Sequence, residues 1–263
     1  MYEFDVERPV TVAEAVAALG TDEAQAMGGG QTLIPTLKQR LAAPSVLVSL
    51  SGIDEMKGIS VAGRDVTVGG ATCHADVAAH GVIAALSVLA GHIGDPAVRN
   101  RGTIGGSLAN NDPSACYPAA ALGLGATIIT NSREIAADAY FTGLFETALE
   151  EGEIITAVKF PIPEAAAYEK FEQPASRFAL VGVFVAKTED GVRVAVTGAS
   201  EAGVFRWSAA EAVLASEFSA SALEGMAPDA DGMISDLHGS GTYRAHLVGV
   251  MTRRAVATAA AAG

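Results

Sequence analysis

The sequence has 263 residues, of which 50% are apolar and 18% charged, so it can bury a substantial core in two or three packed subdomains. Its 17 Lys and Arg residues against 30 Asp and Glu residues give a formal net charge of −13. This balance argues against nucleic acid as a partner, because a protein that binds a phosphate backbone must supply positive charge.

The N-terminal region predicts a folded start without an export signal. Glu3 and Asp5 place carboxylates where a secretory signal would carry basic residues, and we therefore expect a cytoplasmic protein. The first predicted helix begins after Thr11, forms a capping box with Glu14 and ends at Gly20.

A first glycine segment, Gly28-Gly29-Gly30-Gln31-Thr32, lies between a predicted strand that ends at Met27 and a predicted helix over residues 33–41. Consecutive backbone N–H groups at the start of a helix can hold a phosphate or pyrophosphate. The segment matches neither the G-x-G-x-x-G dinucleotide motif nor the Walker loop. A plain flexible turn remains the alternative interpretation.

The middle of the chain holds a second glycine segment. A strand over 45–50, a hairpin over 58–71 and helices over 75–79 and 82–90 precede a polar stretch, 92–107, that is long for a connector and therefore indicates function. This stretch contains Thr103-Ile104-Gly105-Gly106-Ser107, a second candidate for holding an anion, with a simple turn as the alternative.

The pattern of predicted helices and strands changes at residues 161–167. Before them we expect a helix over 117–124 and strands over 126–130 and 154–160; beyond them an antiparallel hairpin over 178–196, a helix from Ser208 and a terminal helix over 243–262. The change marks 161–167 as the candidate domain boundary. The longest weakly polar stretch, 115–129, is broken by Pro118 and is too short for a membrane span.

The cysteine and histidine residues predict no metal site. Cys73 and Cys116 are far apart and cannot supply the four thiolates of an iron-sulfur cluster or a structural zinc site. The five histidines form no H-E-x-x-H motif and no close cluster.

Both glycine segments, in this order, resemble a known family. Together with Asp112-Pro113, Tyr117-Pro118-Ala119 and the closing stretch 243–255, they are similar to the FAD-binding medium subunit of molybdenum hydroxylases. That family includes the flavoprotein subunits of carbon monoxide dehydrogenase and of xanthine dehydrogenase relatives. The resemblance covers nearly the whole chain.

The resemblance implies an α+β architecture. It consists of a two-lobed FAD-binding domain of the vanillyl-alcohol-oxidase (PCMH) type, followed by a small α+β C-terminal domain. We expect FAD-binding subdomains at 1–56 and 57–166 and the C-terminal domain at 167–263.

The resemblance also implies a set of cofactor-binding residues. Both glycine segments would hold the FAD pyrophosphate and neighbouring sugar groups, Lys170 would lie close to the flavin ring, and Tyr168 would cover one face of it. A solvated strand lysine is the alternative for Lys170. The predicted FAD-binding residues are Gly28, Gly29, Gly30, Gln31, Thr32, Leu33, Ile93, Thr103, Ile104, Gly105, Gly106, Ser107, Cys116, Tyr168 and Lys170.

One position departs from the family pattern. Cys116 stands where relatives usually have an aspartate, so that a carboxylate acceptor for a ribityl hydroxyl is replaced by a weak thiol. We expect no catalytic residue in this chain, since no spacing suggests a nucleophile with a base and an orienting group.

The function that the resemblance implies is electron transfer. FAD would take single electrons from a small iron-sulfur subunit and pass pairs to an external acceptor, while a large molybdenum-pterin subunit oxidises the substrate. The three chains would form a dimer of heterotrimers, with which the apolar composition is compatible. The alternatives are a self-sufficient flavin oxidase or dehydrogenase of the same fold and an assembly module that has lost its cofactor. The resemblance places the choice of substrate in the molybdenum subunit, and the sequence of this chain names no final acceptor.

Overall fold

The computed structural model of the chain describes residues 1–262; Gly263, the last residue of the predicted third domain, lies outside the described residues. The strands are β1 (Asp5–Glu7), β2 (Ala24–Met27), β3 (Val46–Ser49), β4 (Ile59–Ala62), β5 (Asp65–Gly69), β6 (Thr127–Thr130), β7 (Glu134–Ala136), β8 (Phe141–Gly143), β9 (Glu146–Thr147), β10 (Ile155–Pro161), β11 (Ala165–Glu172), β12 (Ala179–Thr188), β13 (Gly191–Thr197) and β14 (Phe205–Arg206).

The helices are α1 (Val12–Leu19), α2 (Leu33–Lys38), α3 (His74–His80), α4 (Ala84–Gly91), α5 (Pro96–Arg99), α6 (Ile104–Asn110), α7 (Tyr117–Leu124), α8 (Ala137–Tyr140), α9 (Ser208–Ser216) and α10 (Gly241–Ala262). Helices and strands are mixed along the chain, which confirms the coarse prediction of an α+β architecture. None of the described helices is both long enough and apolar enough to cross a membrane.

The first sheet is parallel and small. Its strand order is β1-β3-β2, and α1 packs its buried Ala15 and Ala18 against it. The predicted helix cap is present, because the Thr11 hydroxyl accepts a hydrogen bond from the Glu14 N–H at 3.2 Å. The Glu14 carboxylate reaches back to the N–H of Val10, at 2.8 Å, one residue before the cap. This sheet places the end of β2 beside the functional site.

The second sheet is antiparallel, in the order β4-β5-β10-β6-β7. Helices α3, α4, α6 and α7 share its hydrophobic core. Every residue of α7 is buried, since this helix lies between the second sheet's core and the third sheet. A Cβ atom on Gly123 would lie 2.8 Å from the Phe184 ring, so glycine permits this close packing.

The third sheet is antiparallel, in the order β11-β12-β13-β14, with α9 and the long α10 sharing one core with it. Arg244 of α10 is buried and donates hydrogen bonds to the carbonyl oxygens of Leu180 and Gly198. Three residues separate the end of β10 from strand β11, which carries Tyr168 and Lys170.

The stretch predicted as one long irregular segment, 92–107, is in fact partly helical. Helix α5 is capped by Asp95, whose carboxylate accepts from the Val98 N–H, and α6 is capped by Thr103. Glycine disfavours helix interiors, which hides α6 in the sequence. The cap and the burial of Ile104 and Leu108 outweigh that preference.

Candidate functional site

A cavity of about 560 Å³ lies between the first and second sheets and reaches β11 of the third. This volume is within the range of cofactor sites, roughly 300–1,000 Å³. The predicted residues that line it are Gly28, Gly29, Gly30, Gln31, Thr32, Leu33, Ile93, Thr103, Gly105, Gly106, Ser107, Cys116 and Lys170.

The first glycine segment presents unused hydrogen-bond donors to this cavity. It runs from the end of β2 into α2, and Gly30 has a φ of +74°, a conformation that favours glycine. Within residues 1–262, no protein acceptor takes a hydrogen bond from the backbone N–H groups of residues 28–32. Five consecutive free donors before a helix fit an anionic group such as a phosphate.

The two glycine segments are in direct contact. A Cβ atom on Gly29 would overlap the carbonyl oxygen of Arg101, and one on Gly28 would lie 2.7 Å from the Thr103 hydroxyl oxygen. The absence of side chains therefore allows the end of β2 to pack against the residues that lead into α6.

In the second segment, the backbone N–H groups of residues 104–107 already have protein acceptors, unlike those of residues 28–32. The N–H groups of Ile104 and Gly105 donate to the carbonyl oxygens of Thr72 and Gly70, at 3.2 and 2.9 Å. Those of the next two residues donate to the hydroxyl and carbonyl oxygens of Thr103. The segment forms the first turn of α6. Its two glycine residues line the cavity with backbone atoms and no side chains.

Two predicted residues do not line the cavity. Ile104 is fully buried in the core of the second sheet. Tyr168 is also buried, with its ring centroid 6.3 Å from that of Phe184, and is not part of the cavity wall. The expectation that Tyr168 covers one face of a ring in the cavity is therefore corrected. Phe178, which is 50% exposed and lines the cavity, is the aromatic residue there.

Lys170 and Cys116 meet in the cavity wall. The Lys170 Nζ atom donates a hydrogen bond to the His92 carbonyl oxygen at 2.8 Å and lies 3.6 Å from the Cys116 Sγ atom. Cys116 is 5% exposed and comes directly before α7. The alternative of a freely solvated lysine does not hold, because the ammonium is anchored to the backbone.

Four titratable residues in the wall were not among the predicted site residues: His74, Asp112, Glu153 and Arg177. Burial raises the pKa of Asp112, which accepts a hydrogen bond from the Ser114 N–H. Burial, and then the charge of Arg99, lower the pKa of His74 from 6.5 to about 4. The other two are Glu153 and Arg177. Asp112 belongs to the Asp112-Pro113 pair that carries the family resemblance, whereas no local pattern distinguishes the other three residues, which come from separate segments.

Glu153 belongs to a polar cluster beside the cavity. Its carboxylate accepts hydrogen bonds from the Arg133 guanidinium at 2.9 and 3.0 Å and from the Thr130 hydroxyl at 2.6 Å. The interaction with Arg133 lowers the pKa of Glu153 well below its usual range. The carboxylate is therefore ionised at neutral pH.

The site fits a long cofactor with an anionic centre, and FAD has this form. The free N–H groups at residues 28–32 suit its pyrophosphate. The buried His74 Nδ1 atom, in a residue that lines the cavity, has no partner in the described chain. Among residues 1–262, no group of three or more His, Cys, Asp or Glu side chains is arranged to hold a metal ion.

Comparisons with known proteins agree with this class of site. Residues 2–163 match the family of the FAD-binding domain in molybdopterin dehydrogenase, and the chain belongs to this family. The carbon monoxide dehydrogenase medium chain of Afipia carboxidovorans is 34% identical, over 98% of this chain and 97% of the relative. The nicotine 6-hydroxylase medium subunit of Paenarthrobacter nicotinovorans is 35% identical, over 96% of each chain.

Solved structures place the chain in the same family of proteins. A chain of the Cu,Mo-CO dehydrogenase in its cyanide-inactivated form superposes with a TM-score of 0.89 at 32% identity, with 100% of both chains covered. The protein is thus an FAD-carrying electron-transfer subunit of the molybdenum hydroxylase type and an oxidoreductase component. The alternative of a self-sufficient flavin oxidase is not supported, and a module without cofactor disagrees with the FAD-binding family.

Proposed function

We propose that this chain holds FAD in the 560 Å³ cavity, with the pyrophosphate on the N–H groups of residues 28–32 and the flavin towards Lys170. The observation that carries the proposal is the row of free backbone donors, in contact with the second glycine segment. Bound there, FAD supplies the exchange between single-electron and two-electron transfer.

The remaining residues of the wall have supporting roles in this proposal. Thr103, Gly105 and Gly106 form the flat wall against which the cofactor lies, and the Ser107 hydroxyl can bond to a sugar hydroxyl. Asp112 replaces the carboxylate that Cys116 no longer supplies, because it lines the same cavity with an oxygen free to accept.

Lys170 has an electrostatic role at the flavin end. Its ammonium is fixed by the His92 carbonyl oxygen, so its charge is held at one place in the cavity wall. A cation held beside the ring stabilises negative charge that arrives with electrons. The lysine therefore favours the reduced cofactor.

We also propose the arrangement of the chain and its partners. The first two sheets form the two lobes of a PCMH-type domain, with units at 1–56 and 57–166 and a C-terminal unit from 167. A large molybdenum-pterin subunit and a small iron-sulfur subunit join this chain in a dimer of heterotrimers. The relatives' names, medium chain and medium subunit, support a large and a small partner. Those relatives are named for carbon monoxide dehydrogenase and nicotine 6-hydroxylase, which fits a substrate chosen outside this chain.

Isolation of the native complex tests the partners. We expect two further chains to co-purify, with molybdenum and iron in them and one FAD for each copy of this chain. Mass spectrometry and metal analysis measure this directly. A native preparation that lacks molybdenum and iron contradicts the assembly.

Removal of FAD from the complex tests the electron path. We expect dithionite still to reduce the iron-sulfur clusters, while electron transfer to an external acceptor dye is lost and returns when FAD is added. Acceptor reduction that continues at the same rate without FAD contradicts the proposed role.

A further inference from the structure

Cys116 occupies an unusual environment for a buried cysteine. Its Sγ atom lies 3.6 Å from the Lys170 Nζ atom, and both residues line the cavity. The residue directly precedes α7, a helix of eight residues. A neighbouring ammonium and a helix N-terminus both stabilise negative charge on sulfur.

Tyr168 adds a third polar group to this cluster. It is 5% exposed, and its hydroxyl has no hydrogen-bond partner in the described part of the chain. Burial, and then the nearby Cys116, raise the pKa of Tyr168 well above its usual value. The phenol therefore keeps its proton.

Cys73 provides a contrast within the same chain. Burial, and then the charge of Asp76, raise the pKa of its thiol. Its Sγ atom donates hydrogen bonds to the backbone carbonyl oxygens of Asn100 and Arg101, at 3.5 and 3.9 Å. Carbonyl oxygens favour the protonated thiol. Cys73 also precedes a helix, α3, and the charges of Arg101 and Lys57 oppose the rise of its pKa, but in the described part of the chain no ammonium donates a hydrogen bond to its sulfur, as Lys170 does to Cys116.

We propose that Cys116 is a site of oxidation by hydrogen peroxide, reached through the cavity, activated by Lys170 and shielded when FAD occupies the cavity. The sulfur attacks one peroxide oxygen, so that an S–O bond forms and the O–O bond breaks. Sulfur loses two electrons to the peroxide, and the hydroxide that leaves takes a proton from solvent. The product is a sulfenic acid.

The shielding part of this inference rests on the proposed position of FAD, whereas the activation by Lys170 does not. Oxidation adds an oxygen atom to the wall beside Lys170. The oxidised chain is therefore expected to bind FAD more weakly than the reduced chain.

The test is chemical labelling of the full chain after removal of FAD. Hydrogen peroxide is added with dimedone, which traps sulfenic acids, and mass spectrometry measures each cysteine. We expect Cys116 to be labelled about tenfold faster than Cys73. Equal labelling of the two cysteines overturns the proposal.

Lysine variants test the activation. We expect Lys170→Met to slow labelling of Cys116 about tenfold, and Lys170→Arg to keep most of the rate because the cation remains. Lys187→Met, on the neighbouring strand and exposed, is the matched control and leaves the rate unchanged. If Lys170→Met does not fold, labelling of Cys116 relative to Cys73 in the unaltered chain still tests the proposal, because equal rates overturn it. A rate that does not depend on Lys170 overturns the proposal.

The FAD-loaded chain separates this inference from the proposed function. We expect bound FAD to protect Cys116 and to leave Cys73 unaffected. Rapid labelling of Cys116 in a chain that retains its flavin absorption overturns the shielding and the placement of FAD in this cavity. Dependence of the rate on Lys170 in the same experiment would still support the activation.

Discussion

The backbone at Gly29 touches the carbonyl group of Arg101, so closely that a Cβ atom at Gly29 would overlap the oxygen. This contact joins the end of β2 to the residues that lead into α6, two parts of the chain that are remote in sequence. It keeps the free N–H groups of residues 28–32 in the cavity wall.

The first prediction follows from this contact. Gly29→Ala should weaken FAD binding by roughly 5- to 150-fold, since forcing a methyl group into a packed site costs about 1–3 kcal/mol and displaces the donors. Titration of the FAD-free chain with FAD measures the effect. Gly91→Ala is the control, because its Cβ atom would meet only the Ala78 side chain at 4.0 Å. Unchanged affinity in Gly29→Ala contradicts the role of this segment.

The second prediction concerns the charge at the flavin end. Lys170→Met should make the two-electron potential of bound FAD more negative by roughly 30 mV, because loss of a cation disfavours the reduced cofactor. Spectroelectrochemical titration measures the potential. Lys187→Met should leave it unchanged. A potential that is equal in both variants would show that Lys170 lies too far from the flavin to act on it.

Some of this site could be predicted from the sequence, and some could not. The position of Gly28–Thr32 between a strand and a helix follows from local patterns. Its contact with the second glycine segment does not, since only the tertiary fold brings them together. Residues 168 and 170 share one face of β11, as residues two apart in a strand must. The hydrophobic core of the second sheet includes Tyr168 but does not extend to Lys170. Tyr168 is therefore buried, while Lys170 reaches the cavity.

The third prediction concerns the pH dependence of stability through His74. Its pKa is lowered from 6.5 to about 4, so the folded chain prefers the neutral imidazole. The free energy of unfolding is therefore full above pH 6.5, where the imidazole is neutral in both states. As the pH falls from 6.5 towards 4, protonation of His74 in the unfolded chain lowers the free energy of unfolding by about 3 kcal/mol. His74→Phe should remove that dependence of the unfolding free energy, whereas His238→Phe, in an exposed loop, should keep it. An identical pH profile in wild type and His74→Phe would contradict the burial effect.

The fourth prediction concerns Glu153, whose pKa is lowered by Arg133. The ionised Glu153 carboxylate stabilises the fold at pH values above the ordinary carboxyl pKa of about 4.3. This stabilisation is lost as the pH falls through the lowered pKa of the folded chain. Glu153→Gln should cost about 1–2 kcal/mol at neutral pH, since the exposed side of Arg133 is screened by water. Chemical denaturation at several pH values measures this. Glu134→Gln, an exposed partner of Lys159, should change stability little. A cost that persists in strong acid would rule out the charge as its cause.

The position of the two phosphorus atoms in a structure of the FAD-loaded chain tests the central claim most directly. We expect pyrophosphate oxygens within hydrogen-bond distance of backbone N–H groups in residues 28–32. A pyrophosphate bound elsewhere, with those N–H groups still without a partner, would contradict the account.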